Sequence, residues 1–291
     1  MRESPLTSAP DSRLFVFCDL DGTVAPYGNA VSSPAARDIF HRLVSRPEIV
    51  LAYVTGRTMG EAKRIINEFD LPFPHFLAGD VGSTIERCAE KQFVHMQSWW
   101  DAIRRDWVGV APDVIMDRLL RIPGLRLQED AFQNSYKVCF YTDYEAPGDQ
   151  LVNKVQNALL DLRIRSQVLH SRDDHRQVGY LDVLPLGAGK LGAVKWLLSQ
   201  TGISADRALF AGDAGNDLPV LASGLRSVMP RNGQAQVRDH AYQILEKKER
   251  GLSKRLYMAK GGFLGLDGHV LGGVLEGIYM HFPQTREWMV S

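Results

Sequence analysis

The sequence is short of the features that mark several large classes of protein. Cysteine is scarce, with three in 291 residues (Cys18, Cys88, Cys139) and no CxxC pair, which excludes a disulfide-built scaffold. The eight histidines form no HExxH or HxH pattern, so a zinc hydrolase is not expected. Neither sign of charge prevails: 34 Lys and Arg stand against 34 Asp and Glu, leaving no global basic field for nucleic acid or anionic lipid. No uninterrupted apolar run approaches the roughly 18 residues that a membrane helix needs. Residues 1–13, MRESPLTSAPDSR, lack the apolar stretch of a secretory signal and read as a disordered tail. Internal repeats and low-complexity segments are absent as well. What remains is a soluble, reduced, cytoplasmic globular chain, 45% hydrophobic and 23% charged, with length for two domains or one large one.

What is there has a rhythm. Leu14–Cys18 is a continuous apolar run, the pattern of a strand covered on both faces, as in a parallel sheet. Pro34 to Arg46 places Ala35, Ile39, Leu43 and Val44 at helical spacing, with proline at a first helical position. A second strand (Ile49 to Val54) and a second helix (Met59 to Phe69) follow, so crossover units and a parallel sheet are predicted. Beyond residue 80 the rhythm breaks into a tryptophan-rich stretch (Trp99, Trp100, Trp107), strands at Tyr136–Tyr141 and Gln167–Leu169, and a helix over Asp149–Asp161. The polar run SRDDHRQ, residues 171–177, reads as an exit loop. From LDVLP the first rhythm returns, with a helix from Lys190 to Gln200, strands at Ala208–Gly212 and Arg226–Met229, and a closing helix from Val270 to His281. The expected fold is α/β, a Rossmann-like parallel-sheet core (14–85 and 181–291) with an inserted α+β cap domain (86–180).

Polar groups gather just past the ends of the buried strands, where open α/β sheets place their sites. They are Asp19 and Asp21, then Thr55, Gly56 and Arg57, then Asp213, Asn216 and Asp217, with Lys190 opening a helix. Several carboxylates at one edge cannot all stay ionised without a cation, and a purely oxygen donor set selects Mg²⁺. The Thr55 hydroxyl, the Lys190 ammonium and backbone N–H groups after Asp19 can hold phosphate oxygens. One carboxylate can then attack phosphorus, and the carboxylate two residues on is placed to serve as acid and base.

The segments DLDGT (19–23), TGR (55–57), Lys190 and GDAGND (212–217), in this order, resemble the haloacid dehalogenase-like superfamily. The resemblance implies that Asp19 is the nucleophile and Asp21 the general acid/base. It implies that Asp19, the backbone carbonyl of Asp21 and Asp213 hold Mg²⁺, supported by Asn216 and Asp217, and that Thr55, Gly56 and Lys190 bind phosphate. An insertion between TGR and Lys190 resembles the α/β cap of the superfamily's second cap class. AYVTGR, QNSYK, LDVLP, FAGDAGNDLPVL and GGVLEGIYMHF are similar to sugar-phosphate phosphatases, sucrose-6-phosphate phosphatase in particular, over roughly Leu14 to Phe282. Mannosylfructose-phosphate and kanosamine-6-phosphate phosphatases share much of this pattern.

The expected activity is therefore Mg²⁺-dependent hydrolysis of a sugar phosphate, sucrose 6-phosphate first, then mannosylfructose phosphate, kanosamine 6-phosphate or a glycosyl-phosphoglycerate. A phosphomutase or a silent binding subunit is the alternative class. The expected partner is a small-molecule sugar phosphate, not nucleic acid or membrane, and the expected state is a monomer or weak dimer. Sugar-reading candidates are Gln133, Asn134 and Lys137 on the cap, with Ser83 and Asp182 near the crossings between domains. The first three could equally tie down a cap edge. Arg57 suits either a phosphate or sugar contact or a structural carboxylate partner. The tryptophans suit a domain core better than sugar stacking. Cys18 suits inert packing. The glycines from Gly261 to Gly277 suit turns rather than nucleotide binding, and LGAGK lacks the first glycine and the Ser/Thr of a P-loop.

Overall fold

The computed structural model describes residues 12–29, 31–90 and 92–290. Among the described residues, twelve strands build two sheets. They are β1 (Leu14–Cys18), β2 (Ile49–Val54), β3 (Phe76–Gly79), β4 (Thr84–Ala89), β5 (Gln92–His95), β6 (Arg126–Leu127), β7 (Val138–Asp143), β8 (Ser166–Asp173), β9 (Val178–Pro185), β10 (Ala208–Ala211), β11 (Arg226–Met229) and β12 (Leu256–Met258). The helices are α1 (Pro34–Val44), α2 (Met59–Glu68), α3 (Gln97–Ile103), α4 (Pro112–Leu119), α5 (Gly148–Leu159), α6 (Gly189–Thr201), α7 (Leu218–Leu221), α8 (Ala235–Lys248), α9 (Leu271–His281) and α10 (Thr285–Val290). None of them is long and apolar enough to cross a membrane, among the described residues.

The larger sheet runs β12-β11-β10-β1-β2-β3-β4-β5, parallel from β12 through β3 and antiparallel at β4 and β5. All five residues of β1 are buried because helices cover both faces. Leu14, Val16 and Cys18 pack with α1, α2 and α9 on one side, whereas Phe15 and Phe17 pack with α6, α7 and α8 on the other. The smaller sheet runs β6-β7-β9-β8, all antiparallel, and packs one face on α4 and α5.

The topology moves the domain boundaries predicted at 86 and 180. β4 and β5 continue the large sheet, and α3 packs Trp99 and Ile103 into its core. The chain enters the cap between Ile103 and Trp107 and leaves it between Val183 and Leu184, where the side chains change from one core to the other. LDVLP misleads because Leu181 and Val183 fill the cap core, and only Leu184 reaches the large domain. SRDDHRQ is no exit loop either. It is the end of β8 and the turn of a hairpin whose pairing extends to Asp173 opposite Val178. Of the predicted tail, residues 1–11 lie outside the described residues, but Ser12 and Arg13 are held by the Arg207 guanidinium, which donates to both carbonyls.

Candidate active site

Three strand ends converge on Asp19. Its backbone N–H donates to the Ala211 carbonyl at 2.9 Å, which fixes the end of β1 against the end of β10. Gly22 follows with φ +70°, and a Cβ there would collide with Asp213 Oδ2, so the turn needs glycine for its conformation and for the close approach. Thr23 Oγ1 donates to Asp213 Oδ1 at 2.9 Å, and Asn232 Nδ2 donates to the Gly22 carbonyl at 2.7 Å. Lys190, only 2% exposed, reaches in from the first turn of α6. Its Nζ lies 3.0 Å from Asp19 Oδ1, 2.7 Å from Asp217 Oδ1 and 3.2 Å from Asn216 Oδ1.

This arrangement separates the carboxylates by what they can still bind. Asp217 spends both oxygens inside the protein, one on Lys190 and the other on the backbone N–H groups of Asp213 and Ala214 at 3.0 and 3.1 Å. Asp19 Oδ1 is buried and pairs with the Lys190 ammonium at 3.0 Å. Burial pushes the Asp19 carboxyl up to about 7; Lys190 opposes the shift, while Asp217 and Asp21 add to it. Asp213 is likewise held well above the usual carboxylate range, by burial first and then by Asp217 and Asp19. Burial alone would lower Lys190, but the neighbouring Asp19 and Asp217 hold its ammonium above the ordinary lysine value. Oxygens from Asp19, Asp213 and Asp217 fall within 4.8 Å of one another. Three clustered carboxylates set against one ammonium, and an all-oxygen donor set, fit a hard divalent cation.

The side chain of Asp21 is elsewhere. Both its oxygens accept from Arg57, Nε to Oδ2 at 2.8 Å and Nη2 to Oδ1 at 2.9 Å, so only its backbone carbonyl is free for the cation site predicted to include it. Arg57 also reaches Glu61 at 3.5 Å and lies 5.9 Å from the centre of the Tyr27 ring. Thr55 is buried at the end of β2, and its Oγ1 accepts from the Arg57 N–H at 3.2 Å. Gly56 faces the Asn216 amide, which a Cβ would approach to 3.0 Å.

A cleft of about 570 Å³ opens above these groups, between the large sheet and the cap. Asp19, Asp21, Thr55, Gly56, Arg57, Asp213 and Asn216 line its floor. Among the sugar-reading candidates the structure brings Lys137 and Asp182 to its wall and leaves Ser83, Gln133 and Asn134 outside. Gln133 is used within the cap, its amide bonded to the backbone of Gln128 and Cys139. Asn134 donates to Ser83 Oγ at 2.9 Å and accepts from the Tyr136 N–H, so it ties cap to core. Lys137 is ion-paired with Asp80 at 3.1 Å.

What sequence reasoning missed is the exposed face of the cap sheet. Tyr141 on β7 pairs in register with Tyr180 on β9, their ring centres 6.0 Å apart, and both line the cleft beside Asp182. The hairpin tip adds Arg172, Asp173, His175 and Arg176. Tyr27 of the core donates to Asp173 at 2.5 Å, and Gln234 donates to Asp174 at 3.1 Å, so the cap is also tied down across the mouth. The alternation Tyr-Leu-Asp-Val over 180–183 was the available signal, hidden by the apolar bulk of LDVLP. Trp99, Trp100 and Trp107 turn their indole N–H groups to Gly82, Ser83 and Ser166 and pack in the domain cores.

A parallel sheet with an aspartate pair after its first strand, a hydroxyl after its second, a buried lysine and an acidic loop, all under an inserted α/β cap, defines a haloacid dehalogenase-like phosphatase. Such enzymes hydrolyse phosphate monoesters, and this chain is one of them. It belongs to the sucrose-6F-phosphate phosphohydrolase family, whose model matches residues 12–282. A Nitrosococcus oceani protein described only as HAD-like hydrolase is 40% identical over 277 residues, covering 95% of this chain and 74% of its own. The mannosylfructose-phosphate phosphatase of Agrobacterium fabrum is 29% identical over 228 residues, 77% of this chain and 86% of its own. Among solved structures, the sucrose-phosphatase of Synechocystis in complex with sucrose and phosphate superposes with a TM-score of 0.72 at 24% identity, covering 92% of this chain and 98% of that one. At that identity the likeness speaks for the fold.

Proposed function

We propose that the protein removes phosphate from a sugar phosphate held in the cleft, with sucrose 6-phosphate the first candidate, through an aspartyl phosphate on Asp19. The observation that carries the reading is Asp19 at the floor of the cleft, paired with the buried Lys190 ammonium and clustered with Asp213, under a roof of tyrosine and carboxylate side chains. The family description names sucrose 6F-phosphate, and a relative of 29% identity acts on mannosylfructose phosphate, so a disaccharide phosphate is the favoured class.

Asp19 and Asp213, with the Asp21 carbonyl, would hold Mg²⁺, which supplies the positive charge that keeps these carboxylates ionised and offsets the phosphoryl oxygens. Thr55, the Gly56 N–H and Lys190 bind and orient those oxygens. An Asp19 oxygen attacks phosphorus, the bond to the sugar oxygen breaks, and Asp21 delivers its proton to that oxygen. Asp21 then takes a proton from the water that attacks the aspartyl phosphate, returning Asp19 and free phosphate. For either transfer Arg57 must release Asp21, which its second partner Glu61 and the arriving phosphate make possible. Tyr141, Tyr180 and Asp182 are the proposed sugar-reading face, since tyrosine rings present flat apolar area and the carboxylate accepts from hydroxyls.

The test is phosphate release from sucrose 6-phosphate, mannosylfructose phosphate, kanosamine 6-phosphate and simple hexose phosphates. The highest kcat/KM is expected on a disaccharide phosphate. Equal rates on all of them would reject the disaccharide assignment.

A further inference from the structure

The turn Asp80–Ser83 lies between the cap and the groups assigned to the phosphate. It leaves β3 with Asp80 and Val81 at φ 52° and 59°, a conformation costly for a β-branched residue and sustained only where neighbours impose it. The neighbours are identifiable. The Asp80 N–H donates to the Arg57 carbonyl at 2.7 Å, and the Val81 N–H donates to the Thr55 carbonyl at 3.1 Å. On its other side the turn abuts α6, since a Cβ on Gly82 would stand 2.6 Å from the Gly189 carbonyl and 2.9 Å from the Lys190 nitrogen. One four-residue turn therefore touches the backbone on either side of Gly56 and the residue that carries the ammonium.

The cap grips the same turn twice. Lys137 Nζ donates to Asp80 Oδ1 at 3.1 Å, with Lys137 3% and Asp80 8% exposed. Asn134 Nδ2 donates to Ser83 Oγ at 2.9 Å, and that hydroxyl donates to the Asp80 carbonyl at 3.0 Å. A buried ion pair is strongest while it is shielded from water; lifting the cap would return both charges to solvent, leave Lys137 with the Asp182 carboxylate of its own sheet and take from Asp80 its cation. The pair is thus complete with the cap seated and broken with the cap lifted.

We propose that Asp80–Ser83 is a strap through which the seated cap sets the phosphate-binding loop, with Lys137 and Asp80 as positioning residues for Thr55, Arg57 and Lys190. The proposal rests on the assignment of Thr55 and Lys190 to phosphate. It separates from sugar reading in one respect: a strap acts on every phosphate ester, whereas a sugar contact acts only on the sugar.

The experiment uses Asp80→Asn, which keeps the size and tolerates the left-handed backbone while removing the charge, and Lys137→Met. Each is assayed with Mg²⁺ on the preferred sugar phosphate and on p-nitrophenyl phosphate. The expected result is a loss of about tenfold or more in kcat on both esters, with KM for the sugar phosphate changed less than about threefold. The double variant should be no slower than the slower single one, and Lys137→Arg should recover part of the loss. Loss confined to the sugar phosphate would overturn the strap and make Lys137 a sugar contact. Multiplying effects in the double variant would overturn it also. Should either buried variant fail to fold by circular dichroism, Ser83→Ala and Asn134→Ala repeat the test, with losses of about two- to fivefold expected on both esters; unchanged p-nitrophenyl phosphate turnover would again overturn it. Asp19→Asn runs alongside. If it is inactive while the strap variants lose only sugar turnover, the strap fails and the phosphatase mechanism stands. If it turns over normally, the mechanism itself fails.

Discussion

In the eight-stranded sheet, the strands that carry chemistry are buried on both faces, and their polar residues appear only past the C-terminal end; in the cap sheet, polar and apolar residues alternate along the strands themselves. Asp19, Thr55 and Asp213 are each the first polar group after an apolar run, at the one place where a parallel sheet of this kind offers an open crevice. Tyr141, Tyr180 and Asp182 sit in mid-strand, facing the cleft, while Phe140, Leu181 and Val183 face the cap core. The first arrangement fixes a few groups rigidly from several strand ends. The second spreads many groups over a surface, and any of them can be exchanged without touching the sheet's packing. Phosphate chemistry suits the first, and reading a hydroxylated ring suits the second.

The sharpest break of this division is Asp19→Asn. The amide keeps the side-chain shape but has no anionic oxygen to attack phosphorus, so turnover of every ester should fall by about 10⁴-fold or more, as for loss of other catalytic nucleophiles. Phosphate release with sugar phosphate and with p-nitrophenyl phosphate measures it, and a folded variant with near-normal rates would remove the covalent mechanism. Chelation comes next. EDTA should suppress activity on both esters by at least about a hundredfold and added Mg²⁺ should restore it, because an all-oxygen site built on Asp19 and Asp213 would hold the ion loosely enough to lose it. Full activity after exhaustive chelation would show that Lys190 alone balances the carboxylates.

A smaller and selective effect is expected on the cap face. Tyr180→Ala removes half of the tyrosine pair and should lower kcat/KM for the preferred sugar phosphate by about ten- to a hundredfold, with p-nitrophenyl phosphate changed less than about twofold. Equal losses on the two esters would mean that the ring supports the cap rather than the substrate.

The same division explains what the sequence made legible. The parallel core, the inserted cap and the residues at the strand ends could be read because a run buried on both faces and a polar residue directly after it are local patterns. The acidic cluster was readable as a set of carboxylates, but the partition between Asp213, left open, and Asp217, closed by Lys190 and two backbone donors, depends on contacts between segments far apart in the chain. Gln133, Asn134 and Ser83 carry the right chemistry for a sugar yet are spent on the cap backbone and on the strap, which composition cannot reveal. The hairpin tip was hidden for the opposite reason. Its polarity matched a solvated loop, although β8 and β9 pair through it and set Arg172, Asp173 and Arg176 over the cleft.

The smallest expected effect runs against activity and is the most telling about Asp182. The residue is 9% exposed, and its carboxyl is pushed up to about 6 by burial, with Lys137 opposing and Asp80 adding to the shift. An acid whose native value is raised holds its proton longer in the folded state than in the unfolded one. Stability therefore falls as pH rises between the ordinary value of 3.8 and about 6, and the cost is absent below that window and complete above it. Keeping the carboxylate charged in this setting costs about 3 kcal/mol at most. Asp182→Asn should remove that cost, raising the melting temperature by a few degrees at pH 8 and by nothing at pH 4. The same variant should lose turnover of the preferred sugar phosphate, because the amide offers one acceptor oxygen where the carboxylate offers two. A gain in stability paired with a loss of sugar turnover is the behaviour of a group kept for its ligand. A melting difference that is the same at both pH values would place the burden of burial elsewhere, on Asp80 and Lys137, and would leave Asp182 as an ordinary part of the cap sheet.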